Sequence, residues 1–333
     1  MLHLPLLSPA DEKAYHDMLA PRIKQALAAS TLSSAAKAFL DAARIKKILC
    51  DQPKDLLRHH NAILPRLAAG LTPAVYKAYL IGRAKKEADR SVAEITAILT
   101  YKPVIDELKS VFNYDEFIMR HKITSYKLAT MLDRNTCTYC NRIYTTTVIH
   151  KDPVTHRVNN RTRITRPNYD HWYSHGKYPV LGTSLYNLIP SCTVCNSSVK
   201  GAVEFSLQKH LHPYTNKIKQ EFSFNYKAKN VHDNNVLIEV VAGSRSANTL
   251  AAFKIAEVYD EHSSYELKDL LELRYKYSED YLDTLFNKTF DLKVGKKEVY
   301  RMIFGAEYED VDHHKRPFSK FKKDILEKLG VKI

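Results

Sequence analysis

The chain is 333 residues long, 44% hydrophobic and 26% charged, which is enough for a buried core and excludes a wholly disordered or fibrous protein. Its 51 Lys and Arg against 37 Asp and Glu leave a formal net charge of +14, pointing to a polyanionic partner, nucleic acid before acidic membrane, although a solvated basic surface gives the same count. No apolar run approaches the roughly 18 residues of a membrane span, and Met1-Leu2-His3-Leu4-Pro5-Leu6-Leu7 lacks the basic and long apolar regions of a signal peptide, so a cytoplasmic protein is expected.

Residues 1–130 read as a helical region, because Ala, Leu and Lys are plentiful and Gly is scarce. Ser8-Pro9-Ala10-Asp11 places a capping serine before a proline at the first helical position, with an acid three residues after the cap. Thr72-Pro73 opens a second helix that carries Tyr76, Tyr79, Leu80 and Ile81. Near residue 135 the character changes. Arg142 to His150 has strand composition, with Ile143, Tyr144, three threonines, Val148 and Ile149. Asp152-Pro153 and Asn159-Asn160 are turn signals, and Thr162 to Tyr169 can return as a second strand that delivers Asp170-His171. Leu185 to Pro190 is a short apolar piece carrying Asn187. Ser191 then reads as the N-cap of a helix holding Cys192, Cys195, Asn196 and Lys200, with Gly201 as its stop. Strand character returns at Phe222-Ser223-Phe224 and Val236-Leu237-Ile238. Tyr265 to Leu285 shows helical spacing, and Lys320 to Leu329 reads as a final basic helix. This gives three regions: 1–130, helical; 131–215, a small core; 216–333, mixed and then mainly helical.

Five cysteines are present, and four form the pairs Cys137-Thr138-Tyr139-Cys140 and Cys192-Thr193-Val194-Cys195. An odd count with this spacing is a poor disulfide framework and a good metal site in a reducing compartment. Two close thiolates from each of two tight turns are what tetrahedral Zn²⁺ needs. A redox-active pair is the alternative, and no thioredoxin-like βαβ setting surrounds either pair. Cys50 stands alone in a helical stretch and reads as an inert apolar residue.

The segment 134–215 resembles the HNH (ββα-metal) endonucleases in their four-cysteine form. The resemblance is carried by Cys137-x-x-Cys140-Asn141-Arg142, Asp170-His171, Asn187-Leu188, and Cys192-x-x-Cys195-Asn196 with Lys200-Gly201. Tyr178-Pro179, the run Leu185 to Cys192, and His212-Pro213-Tyr214 are similar to a branch of that family found in bacterial anti-phage defence. The resemblance implies an α+β fold, a small ββα-metal core with a four-cysteine zinc site, flanked by mainly α-helical N- and C-terminal regions. It implies structural Zn²⁺ on the four cysteines and a catalytic Mg²⁺ or Mn²⁺ on Asp170 and Asn196. His171 is then the general base for water attack on phosphorus, and Asn187 the residue that orients its loop. The chain departs from the common pattern after the base: His171-Trp172-Tyr173-Ser174-His175-Gly176 has no apolar-Pro step, so substrate placement here is its own. His175 and His212 read as loop and structural residues respectively.

Between Asn141 and Val203, eight basic residues face two acids, Asp152 and Asp170. Arg142, Arg161, Arg163, Arg166, Lys177 and Lys200 are therefore candidates for phosphate-backbone contacts, which position a nucleic acid without reading its sequence. The expected partner is DNA or, failing that, RNA, with no membrane; the defence resemblance adds a regulatory partner such as an ATPase. Two other classes compete with a free-standing nuclease. One is a zinc-ribbon binding module, which has no use for Asp170, His171, Asn187 and Asn196. The other is an effector nuclease silent until a partner engages it.

Overall fold

In a computed structural model, residues 2–201, 203–215, 221–230, 233–278, 281, 284 and 295–331 are described. Seven helices fill the first part: α1 Pro9–Ala29, α2 Ser34–Phe39, α3 Ala42–Cys50, α4 Pro53–Leu67, α5 Pro73–Ala84, α6 Val92–Val111 and α7 Lys122–Leu132. Their starts follow local chemistry. The Ser8 hydroxyl accepts the Asp11 N–H at 3.1 Å, the Thr72 hydroxyl accepts that of Val75 at 3.3 Å, and Ser91 with Glu94 closes a capping box at α6.

Three two-stranded antiparallel sheets follow. β1 (Val148–Ile149) pairs with β2 (Arg163–Thr165), β3 (Asn168–His171) with β4 (Leu188–Ser191), and β5 (Phe222–Ala228) with β6 (Asn234–Val240). The chain closes with α8 Arg245–Ala252, α9 Ile255–Asp260, α10 Lys268–Lys276, α11 Lys296–Phe304 and α12 Ser319–Lys328. The result is a helix-rich α+β arrangement, and no helix among the described residues is long and apolar enough to cross a membrane.

Two expectations need correction. The long hairpin is only two or three residues deep, and its returning strand is not the one that pairs Asp170-His171. Pro167 has no N–H to give to a ladder, and after it the chain changes partner: Asp170 lies opposite Ile189 and His171 opposite Leu188. Ser191 is not a helix cap. It is the buried last residue of β4, and the turn beyond it is a π-helical turn, Val194–Val199, closed by Lys200 N–H on the Cys195 carbonyl at 3.2 Å. Gly201 follows at φ +50°, a conformation costly for side chains with a Cβ. The final helix and the β5–β6 pair fall where the strand and helix patterns put them. Of the stretch 265–285, α10 covers 268–276; residues 279–280, 282–283 and 285 lie outside the described residues.

One apolar cluster runs from Leu4 to Val331 and encloses the middle segment from both sides. From the first helices, the Tyr15 hydroxyl donates to the Thr183 carbonyl at 2.7 Å. From the C-terminal part, Asn141 Nδ2 donates to the carbonyls of His313 and Arg316 at 2.9 and 3.1 Å.

A buried imidazole gives this core an acid weakness. His60 on α4 lies between the rings of Tyr76 and Tyr178, and neither of its nitrogens has a hydrogen-bond partner among the described residues. Burial pushes it down to about 3, whereas an unfolded histidine titrates near 6.5. Between those values the unfolded chain binds a proton that the fold refuses, so stability falls as pH drops through that window. At pH 4.5 this amounts to roughly 3 kcal/mol. His60→Leu is expected to lose less of its urea midpoint between pH 7 and pH 4.5 than wild type; equal losses would contradict the assignment.

Candidate metal centre and the adjoining Asp-His site

The four cysteines of the two pairs converge. Their sulfurs all lie within 4.8 Å of one another and all four residues are buried. A tetrahedral Zn²⁺ with Zn–S of about 2.3 Å sets its sulfurs about 3.8 Å apart, so the donor set and spacing fit such an ion. Among the described residues, this is the one grouping of three or more His, Cys, Asp or Glu ligand atoms close enough to hold a metal. Local backbone makes the cluster. Asn141 takes φ +50°, which Asn tolerates better than most residues, and turns the chain back after Cys140. The Thr138 N–H donates to the Pro190 carbonyl at 3.2 Å, tying the first pair to β4 just before the second. Hydrogen bonds from the other three thiols pull Cys140 well below the usual thiol range, while burial pushes Cys137 up. Zn²⁺ binds thiolates, so loading the cluster releases the thiol protons.

Asp170 and His171 end β3, and Asp170 is tied to the first cysteine pair through Tyr139, whose hydroxyl lies 2.6 Å from its Oδ2. His171 Nε2 lies 2.8 Å from the Gly182 carbonyl. A carbonyl only accepts, so Nε2 carries the proton and Nδ1 holds the lone pair. Among the described residues, Nδ1 has no hydrogen-bond partner. The ring stacks on His175 at 4.3 Å and meets the edge of Tyr114 at 4.4 Å. Burial, then the neighbouring His175, hold its pKa well below the ordinary histidine value, so the ring is neutral near pH 7. Gly182 is tightly packed: a Cβ there would lie 3.0 Å from the Phe112 carbonyl and 3.2 Å from that of Pro179.

Asn187 is fully buried beneath this loop. It accepts the Tyr173 N–H at 2.7 Å and donates to the carbonyls of Tyr173 and Leu181 at 2.9 and 3.0 Å. It therefore fixes both ends of the segment whose Gly182 carbonyl holds His171. Asn187→Ala would strand the buried N–H and carbonyl of Tyr173, while the Leu181 carbonyl keeps the Ser184 N–H at 3.2 Å, and a loss of roughly 2 kcal/mol or more is expected, read as a lower urea midpoint. A midpoint unchanged from wild type would mean that water or a neighbour replaces the amide.

The basic candidates separate into two groups. Arg161 is exposed on the β1–β2 connection, and Arg163 is half-buried on β2, with its guanidinium 3.3 Å from Asn160 Oδ1. Arg166 donates to the carbonyls of Pro167 and Met119, Arg142 bonds His262 at 2.6 Å, and Lys177 pairs with Glu204 at 2.8 Å. Lys200 is not on the surface at all. It is 5% exposed, and its ammonium donates to Asp170 Oδ2 at 2.7 Å and to the His171 carbonyl at 2.6 Å. The Tyr139 hydroxyl donates to the same Oδ2 at 2.6 Å. Each cysteine pair thus lends one residue to Asp170: Tyr139 lies inside the first and Lys200 ends the turn of the second. Sequence reasoning missed Tyr139 and Tyr114, and no signal outside the three-dimensional fold marks them. Asn196 is half-buried on the π turn, its N–H on the Cys192 carbonyl at 3.0 Å, and its side chain has no partner among the described residues.

This arrangement does not fit a divalent cation on Asp170 as it stands. One carboxylate oxygen is filled by two donors, and one of those donors is itself a cation. No family model, curated protein or solved structure matches this chain.

Proposed function

We propose that the chain is an HNH-type endonuclease that hydrolyses phosphodiester bonds of DNA, with Zn²⁺ on the four cysteines as its structural ion. The observation that carries this reading is His171, a buried neutral imidazole held through Nε2 by a backbone carbonyl, beside Asp170, whose carboxylate accepts from Tyr139 of the first cysteine pair. Nδ1 takes a proton from water, the water oxygen attacks phosphorus, and the bond to the departing oxygen breaks. The neutral tautomer needed for this is the one the Gly182 carbonyl selects. Asn187 holds the loop that supplies that carbonyl. Arg161, Arg163 and the exposed Lys151 and Arg157 all belong to the β1–β2 hairpin, a basic stretch suited to phosphate-backbone contacts. The resemblance further points to foreign DNA as the target, whereas the Mg²⁺ or Mn²⁺ that it implies on Asp170 and Asn196 does not fit the Asp170 carboxylate as Lys200 and Tyr139 hold it.

A second reading, a nuclease silent until a partner engages it, is favoured by the Lys200 ammonium that already occupies Asp170. The test is a panel of end-labelled duplex DNA, single-stranded DNA and RNA incubated with zinc-loaded protein and Mg²⁺ or Mn²⁺. Internal cleavage of any of them is expected, duplex DNA first. Intact substrates throughout, from protein that is folded and zinc-loaded, would sink the free-standing nuclease.

A further inference from the structure

We propose that the cleft between the N-terminal segment, the end of α7 and Tyr214 is a binding site for a phosphate group, with the Arg134 guanidinium as its anchor. The cleft has a volume of about 180 Å³. Its polar lining is Ser8, Asp11, Arg134 and Tyr214, and the rest of its wall is apolar. None of these residues belongs to the Asp170-His171 site, and the inference does not depend on the nuclease reading.

Arg134 is the reason to expect a ligand. It is 7% exposed, and its Nε is buried without a hydrogen-bond partner. Among the described residues its guanidinium donates no hydrogen bond and joins no ion pair. Arginine keeps its charge inside proteins. A buried cation without a partner is costly, and an arriving anion removes that cost. The acids nearby do not cancel the charge. Asp133, the preceding residue, is exposed, and the Asp11 carboxylate accepts from the Ser8 hydroxyl at 2.6 Å. His314 feels what is left: burial first, then Arg134, pull it down to about 4. The cleft also borders the first turn of α1, the positive end of a 21-residue helix.

An oxyanion suits a planar guanidinium, whose parallel N–H groups reach two oxygens at once. Asp11 narrows the choice, because its carboxylate repels a fully ionised ligand and accepts from a hydroxyl. A phosphate that keeps one O–H satisfies both groups, whereas a carboxylate at neutral pH has no proton left to donate. Free phosphate and the phosphate of a nucleotide share this chemistry. The apolar wall separates them, since only the ester has a further group to lay against it.

The test is isothermal titration calorimetry of the zinc-loaded chain at pH 6 and constant ionic strength, with inorganic phosphate as the probe. At that pH about half of a phosphate monoester keeps its proton. Arg134→Met is compared with wild type and with Arg58→Gln, which removes the same charge from the surface of α4. Saturable binding is expected in wild type and Arg58→Gln, and binding roughly tenfold or more weaker in Arg134→Met. If Arg134→Met does not fold, Arg134→Gln removes the charge while keeping a donor and gives the same comparison. Equal affinity in wild type and the Arg134 variant overturns the site, as does the absence of saturable binding by wild type. Acetate, with two oxygens and no hydroxyl, is expected to bind more weakly than phosphate, and equal binding overturns the choice of ligand. A nucleoside 5′-monophosphate held more tightly than inorganic phosphate assigns the site to an ester, and equal affinities assign it to the free ion.

Discussion

Replacing any one of Cys137, Cys140, Cys192 or Cys195 by serine, or stripping the protein with a strong chelator, is expected to unfold the core. The four thiols are buried together and hold no other partners of comparable strength. A structural zinc contributes an apparent ~10–16 kcal/mol in small zinc-finger peptides at neutral pH. The net stability of an entire domain is about 5–15 kcal/mol. A loss of even part of the first figure therefore decides the fate of the fold. The damage also spreads beyond the cluster. Tyr259 donates to the Cys140 carbonyl at 2.5 Å, Tyr139 stacks on Phe253 at 3.9 Å, and Asn141 holds the segment at His313 and Arg316. Releasing the first pair thus releases the contacts that dock the C-terminal helices. Zinc content and thermal melting of Cys195→Ser read the outcome: loss of the ion and of a cooperative transition is expected. Retention of both would contradict a structural metal. Cys50→Ala is the control. Cys50 is half-buried on α3, far from the pairs in sequence, and its thiol is pushed up to about 12 by burial. A change within ~1 kcal/mol is expected there.

His171→Gln is expected to lower the cleavage rate by a factor of about 10²–10⁴, the usual contribution of a positioned general base. Glutamine is chosen because it nearly fills the imidazole's volume and keeps an N–H for the Gly182 carbonyl, yet has no basic nitrogen. The ring contacts with Tyr114 and His175 are lost, and so the melting temperature is expected to drop by a few degrees only. A loss of activity with the zinc content and melting intact would assign the base. Undiminished cleavage by the variant would remove His171 from the chemistry and leave it as a packed core residue.

The parts of this fold that the sequence makes legible are those set by neighbours along the chain. Ser8 and Thr72 mark helix starts because a cap bonds an N–H three residues on. The spacing of the cysteines forecasts that the four sulfurs can meet, because two short turns are all that geometry asks. The strands at Phe222 and Val236 are legible from alternation and aromatic content. What stays hidden depends on tertiary neighbours. Pro167 is visible, yet nothing local says that β3 will leave the hairpin and take β4 as its partner. Ser191 has the chemistry of a cap, but β pairing claims its backbone first. Lys200 looks like any basic residue on a polar turn, and only the fold carries it inward to Asp170. Tyr114 reaches His171 from a stretch with no motif at all. Arg142 and Lys177, read as phosphate contacts, have partners in His262 and Glu204 that lie 120 and 27 residues further along the chain.

The most direct measurement is single-turnover cleavage of supercoiled plasmid by zinc-loaded wild type and His171→Gln, side by side, with Mg²⁺ or Mn²⁺ and with chelator. Nicked or linear product from wild type in the presence of the cation, with little or none from the variant, is the predicted result. No product from a folded, zinc-loaded wild type, or equal product from both proteins, would contradict the account.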